Sequence, residues 1–311
     1  MKSPALSRRA FLQTTAMAAT ALATGACHTT TMGSSWPIGC FNRPWMQKFG
    51  SKTQPLDTPA PANWGFDAAI KGIRQAGYAT AGLLTPMPDE PFIGSAATDE
   101  YLTSLKKRIA GSGLDVNMGS LRVKSGVSLG DAIQDMRRQI DRAQFLNLDW
   151  LLTFGVDKKE DYEKYYKMMA DAADYAQEAK MKLVMKPHGG SSGTAEEIQR
   201  CLSRVNRANF KIWYDAGNIV YYDGKDPVEE LKPIVQHVTG FCAKDCTAEK
   251  GEVMIQFGAG KVDFTAVFKE LKRGGFKGPI FVECAGGKTF AEVTANAEAN
   301  RLFLEKVIAA I

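Results

Sequence analysis

Histidine is scarce in this chain: His28, His188 and His237 are the three among 311 residues. That is too few for a histidine-rich multi-zinc centre. Both glycine-rich phosphate signatures, G-x-x-x-x-G-K-[ST] and G-x-G-x-x-G, are missing. Charge of one sign is not in excess either. The formal net charge is +5, and removing the N-terminal cations Lys2, Arg8 and Arg9 leaves +2. That balance gives no electrostatic footing for nucleic acid or an anionic membrane surface. Cysteine is present but does not form a framework. Beyond Cys27 stand Cys40, Cys201, Cys242, Cys246 and Cys284, an odd and widely spaced set. Cys242 and Cys246 would lie roughly 13 Å apart on an extended segment, too far for a bridge unless the chain turns sharply. Buried free thiols are therefore the expectation. No long apolar run appears: the Ala/Thr/Leu-rich stretch ending near residue 26 is too short and too weakly apolar to span a bilayer.

What is there begins with a leader. Ser7-Arg8-Arg9-Ala10-Phe11-Leu12 is a twin-arginine pattern, and residues 1–27 read as an export signal. A periplasmic location follows as an expectation. Thr24-Gly25-Ala26-Cys27 resembles a lipoprotein cleavage site, although Thr24 stands where an aliphatic residue is usual. Membrane attachment through a lipidated Cys27 and simple cleavage nearby both stay open. Residues 28–35 are a polar tether. The remaining residues, 36–311, read as a single domain.

Within that domain, short apolar runs alternate with amphipathic ones. Strands are expected over 37–42, 80–86, 115–122, 149–155, 182–188, 210–218, 238–245 and 278–284. Helices are expected over 66–76, 98–110, 128–147, 159–180, 194–206, 226–236, 263–273 and 289–308. Strict alternation implies a parallel sheet, and eight units at this length fit a closed (β/α)8 TIM barrel with outer helices. An open doubly wound sheet is the competitor. It announces itself with a glycine-rich loop after its first strand, whereas here that strand runs into Phe41-Asn42-Arg43-Pro44-Trp45. The Pro-rich segment 54–62 is long enough for a lid or rim. His188-Gly189-Gly190-Ser191-Ser192-Gly193 reads as a mobile loop, with a phosphate nest as the alternative.

Four of the expected strands end in chemistry. They are Lys186-Pro187-His188, Asp215-Ala216-Gly217-Asn218, Cys242-Ala243-Lys244-Asp245 and Glu283. Side chains alternate faces along a strand, so Lys186 shares a face with His188, and Cys242 with Lys244. Parallel strands laid side by side gather these groups at one end, where such folds place their sites.

The succession resembles the xylose-isomerase-like barrel superfamily, of the sugar isomerase and epimerase type. The motifs that carry the likeness are those four, with Gly258-Ala259-Gly260 and Val262-Asp263-Phe264 before the last strand. The likeness spans about residues 36–308. It implies a carbohydrate-processing enzyme that abstracts a proton next to a sugar carbonyl, giving isomerisation, epimerisation or keto-sugar elimination. It also implies one divalent metal (Mn, Zn or Co) held by a Glu, an Asp, a His and a Glu. Only Asp215 and Glu283 stand at matching positions. Lys186 replaces the first Glu and Cys242 replaces the His. An ammonium cannot ligate a cation. Two arrangements remain: no metal, with Lys186 paired to Asp215 and Glu283, or a site rebuilt on Asp215, Glu283 and Cys242.

The chemistry needs a base, an electrophile and hydroxyl binders. Glu283 or Asp215 could be the base, and Lys186 or Lys244 the electrophile. His188, Asn218 and Lys244 could bind substrate, a small sugar or keto-sugar. A Schiff base on a lysine is a further option. Trp45, Trp64, Tyr214 and Phe154 could stack on a sugar or simply fill the core. Asp263 suits a helix N-cap. The alternative function is a periplasmic sugar-binding protein without turnover, in which Lys186, Asp215 and Glu283 form an inert ion-pair plug.

Overall fold

The structure, a computed structural model, describes residues 36–311; the export signal and tether lie outside the described residues. The strands β1 (Ile38–Phe41), β2 (Thr80–Leu83), β3 (Asp115–Ser120), β4 (Trp150–Thr153), β5 (Lys182–Met185), β6 (Phe210–Asp215), β7 (Val238–Ala243) and β8 (Ile280–Val282) pair in sequence order. Every pairing is parallel, and β8 returns to β1 to close the barrel. Around it run α1 (Phe66–Gln75), α2 (Asp99–Gly111), α3 (Leu129–Phe145), α4 (Tyr162–Glu178), α5 (Ala195–Val205), α6 (Ala216–Asp223), α7 (Pro227–Leu231), α8 (Phe264–Arg273) and α9 (Phe290–Ala309). No described helix is long and apolar enough to cross a membrane.

Local signals explain the helix starts. Thr98, Ser128, Thr194, Asp263 and Thr289 each accept a hydrogen bond from the backbone N–H three residues on, which satisfies a donor the helix itself leaves open. Asp263 is thus a cap. The helix expected over 226–236 is broken. It appears as α7 and a short 3-10 turn, Val235–His237, because Pro233 has no backbone N–H to continue the helical ladder after Lys232. The strand expected through Asn218 stops at Asp215, where α6 begins immediately.

Apolar side chains pack in two places. The larger body lies between barrel and helices and includes Trp45, Trp64 and Tyr214, so these three aromatics are core. The smaller body fills the barrel with Phe41, Leu84, Met118, Trp150, Leu152, Val184, Trp213, Cys242 and Phe281. Trp213 stacks edge-on against Trp150 and Phe281, with ring centroids 5.3 and 5.5 Å apart. Gly240 makes that filling fit: a Cβ there would lie 2.0 Å from the Trp213 ring. The barrel is plugged by aromatic rings below, and its upper end is left to polar groups.

Candidate functional site

The polar layer follows from the period of two. Continuing each inward-facing row beyond its apolar member gives Arg43 after Phe41, Arg122 after Met118 and Ser120, and Phe154 after Leu152. On the other side it gives Lys186 after Val184, Asp215 after Trp213, Lys244 after Cys242 and Glu283 after Phe281. These residues line, or lie at the floor of, a cavity of about 550 Å³. Its wall also includes His188, Asn218, Tyr222 and Glu252.

The floor is an ion network. Lys186 Nζ donates to Asp215 Oδ2 at 2.8 Å and to Glu283 Oε2. Lys244 Nζ donates to Glu283 Oε1 at 3.0 Å and lies 3.4 Å from Asp215 Oδ2. Arg43 adds a second bond to Glu283 Oε1, and the Cys242 thiol donates to Oε2 at 2.9 Å. Asp215 Oδ1 accepts from the Asn218 N–H at 2.8 Å, capping α6. Gly217 lets that helix start so close to β7: a Cβ there would meet the Lys244 carbonyl at 2.6 Å. Asn218 spends its side-chain amide on the Pro187 carbonyl, 2.6 Å away, tying α6 to the end of β5.

The charges set one another. Burial alone would strip the proton from Lys186, but attraction to Asp215 and Glu283 overrides it and holds its pKa well above the ordinary lysine range. Lys244 is raised by the same balance. Burial would raise Glu283, yet Lys186, Lys244 and Arg43 hold it well below the usual carboxylate range. Burial pushes the Cys242 thiol up, so it is a donor rather than a thiolate. A Schiff base is thereby disfavoured, since both amines are protonated. The base role considered for Glu283 meets a physical obstacle: both oxygens already accept two donors each, and its proton affinity is depressed.

His188 stands on the wall. Its Nε2 is 2.8 Å from the Tyr222 hydroxyl, and its ring packs edge-on to Phe154. Burial, then the cations Lys186 and Lys244, bring its pKa down to about 3, so the ring is neutral near pH 7. Nδ1 has no hydrogen-bond partner among the described residues. The loop after it is pinned rather than mobile. Ser192 Oγ donates to the Phe154 carbonyl at 2.7 Å, and the Ser191 N–H to the Val156 carbonyl at 2.9 Å. The N–H groups of His188, Ser191, Ser192 and Gly193 are already engaged within the protein, which leaves only those of Gly189 and Gly190 for the phosphate-nest alternative. Asp245 is an anchor: its carboxylate accepts from the N–H groups of Cys246, Gly258, Gly260 and Val262.

Two charged wall residues go unnoticed in the strand-end motifs: Arg43 and Arg122. The signal that finds them is the same period of two applied to β1 and β3. Arg122 donates to the Leu84 carbonyl at 2.6 Å and lies 4.7 Å from the Phe154 ring centroid.

The donors Asp215, Cys242 and Glu283 lie within 4.8 Å of one another, close enough to hold an ion. The chemistry of the set does not fit one. The Lys186 ammonium stands among them, 3.9 Å from Cys242 Sγ as well as bonded to both carboxylates, and the thiol keeps its proton.

The fold and site define a closed (β/α)8 barrel with an ionic cavity at the C-terminal ends of its strands. The family model "Xylose isomerase-like TIM barrel" matches residues 70–307, and the chain belongs to that family. Among curated relatives, inosose dehydratase from Clostridium perfringens is 30% identical over 142 residues, covering 39% of this chain and 48% of that protein. The chain thus spans about half the length of the curated relatives it matches. A xylose isomerase-like TIM barrel protein from Mycobacterium smegmatis, solved in complex with magnesium, superposes with TM-score 0.69 at 16% identity, covering 89% of this chain and 97% of that one. D-allulose 3-epimerase from Methylomonas sp. superposes with TM-score 0.65 at 15% identity, covering 88% and 98%.

Proposed function

We propose that this chain is a carbohydrate-processing enzyme that removes a proton next to the carbonyl of a keto-sugar, with fixed cations in place of a metal. The observation that carries the reading is the Lys186 ammonium inside the Asp215–Cys242–Glu283 triangle. Related proteins named as dehydratase and epimerase support the reaction class. In this scheme Asp215 and Glu283 hold Lys186, Lys244 and Arg43 in place. The substrate carbonyl oxygen faces Lys244 and Arg43. As the carbon–hydrogen bond breaks, its electron pair moves to that oxygen, and the resulting enediolate is stabilised by preplaced cations. The proton goes to His188 Nδ1, whose Nε2–H is donated to Tyr222 in that tautomer. Enediolate charge offsets the cations that depress the histidine, so its basicity rises as the proton arrives. Returning the proton gives isomerisation or epimerisation, and losing a group from the next carbon gives elimination.

Deuterium uptake from D₂O at the carbon beside the carbonyl of ketoses and 3-keto-glycosides tests this. Exchange by the wild type and its loss in Lys186→Met and His188→Gln is expected. No exchange would leave the binding-only reading, which the saturated Glu283 favours.

We also propose export by the twin-arginine route to the periplasm, on the support of Arg8-Arg9 and the apolar stretch after them. An oxidising compartment suits the five cysteines of the described residues, which are free and buried.

A further inference from the structure

The cavity has more fixed cations than anions to answer them. Arg43, Lys186 and Lys244 share two carboxylates, Asp215 and Glu283. Arg122 has none: among the described residues its guanidinium donates only to the Leu84 carbonyl. Among the described residues it is the one cation lining this cavity without a carboxylate at ion-pair distance, although the more distant Glu283 still attracts it. Protein surrounds it on most sides, yet more than a third of its surface is open, and it lines the cavity. Burial brings its pKa down to about 10, so it carries a full charge at neutral pH. The one further carboxylate on the wall, Glu252, is exposed at the rim and accepts from the N–H groups of Val253 and Met254. Arg122, Phe154 and His188 also line a second cavity of about 370 Å³, which opens beside the first and includes Lys124, Lys158 and Lys164 against Asp157 and Asp161. Arg122 therefore stands at the junction of the two cavities, and the Phe154 ring centroid lies 4.7 Å from its guanidinium and 5.8 Å from Lys186 Nζ.

We infer that the substrate is an anionic sugar, one bearing a carboxylate or a phosphate ester, and that Arg122 seats that group. The inference rests on the sugar-processing reading and names its substrate class. A guanidinium fork with free N–H groups matches both oxyanions in two-point geometry. Neutral sugars would leave its charge unanswered. The sugar ring then lies over Phe154 with its carbonyl end toward Lys244, and the anionic substituent points toward the junction.

Calorimetric titration of the full chain with D-glucuronate, D-glucose 6-phosphate and D-glucose tests it without requiring turnover. One or both anions should bind about tenfold or more tighter than D-glucose, and the anion that gains most distinguishes carboxylate from phosphate. The advantage should shrink with added salt. It should fall to within about twofold in Arg122→Gln and be partly kept in Arg122→Lys. Equal binding of acid and neutral sugar, no binding of either anion, or an advantage that survives Arg122→Gln overturns the inference. The failures separate: anion preference without proton exchange sinks only the enzyme reading, and exchange of neutral keto-sugars without anion preference sinks only this one.

Discussion

Lys186 Nζ stands 2.8 Å from Asp215 Oδ2, on a lysine and an aspartate that are both fully buried. A buried ammonium persists only where carboxylates answer it, and each carboxylate in turn depends on the ammonium. Removing the lysine charge leaves two buried anions sharing fewer cations. Lys186→Met should lower stability by about 3–5 kcal/mol, read as a shift in the urea midpoint at unchanged slope. Lys186→Glu should in addition gain affinity for Zn²⁺ or Mn²⁺, seen as a metal-dependent rise in Tm that the wild type lacks. Metal stabilising the wild type equally would contradict this.

His188 gives a pH signature. The unfolded chain takes up a proton on this ring near the ordinary value of about 6.5, whereas the folded chain does so at about 3. The unfolded state therefore binds more protons in between, and stability falls as pH drops from about 6.5 toward 3. Above that window this residue contributes no slope. Glu283, depressed in the fold, adds its own loss only lower, as pH falls from the ordinary carboxylate range of about 4.3 through its folded value. His188→Gln should flatten the upper part of the acid limb and leave the lower part. Imidazole resonances of His188 that titrate near 6.5 would contradict the depressed value.

The barrel filling makes a steric prediction. Gly240→Ala places a methyl where the Trp213 ring stands, and should cost about 1–3 kcal/mol by overpacking. Gly111→Ala, at the end of α2 with nothing within 4 Å of the added Cβ, should be neutral or stabilising by about 0.4–1 kcal/mol. Equal effects in thermal unfolding would refute the interior packing described.

Export has a conservative test. Replacing Arg8 and Arg9 by lysine keeps the charge but removes the guanidinium pair, so cell fractionation should find the variant retained in the cytoplasm. Unchanged export would refute the twin-arginine proposal.

The barrel was legible because its rule is repetitive: each β-branched or aromatic run is followed by an amphipathic helix with a recognisable cap, such as Ser128 or Thr289. Lys186, Asp215, Cys242, Lys244 and Glu283 were legible as a group because strand ends of a parallel barrel must converge. Their bonding was less so. That Glu283 is saturated depends on Arg43, which comes from the opposite end of the chain. Asn218 looks like a strand-end donor, but Asp215 doubles as a helix cap and turns the chain before it. The pinned loop after His188 depends on Phe154 and Val156, contacts across two strands that no local motif encodes.

The central claim is that a fixed ammonium stands in for the metal. The most direct measurement is the rate of deuterium exchange beside the carbonyl of a keto-sugar, before and after exhaustive EDTA treatment. The account predicts the same rate in both samples and no gain on adding Mn²⁺, Zn²⁺ or Co²⁺. A rate abolished by EDTA and restored by one of these ions would contradict it.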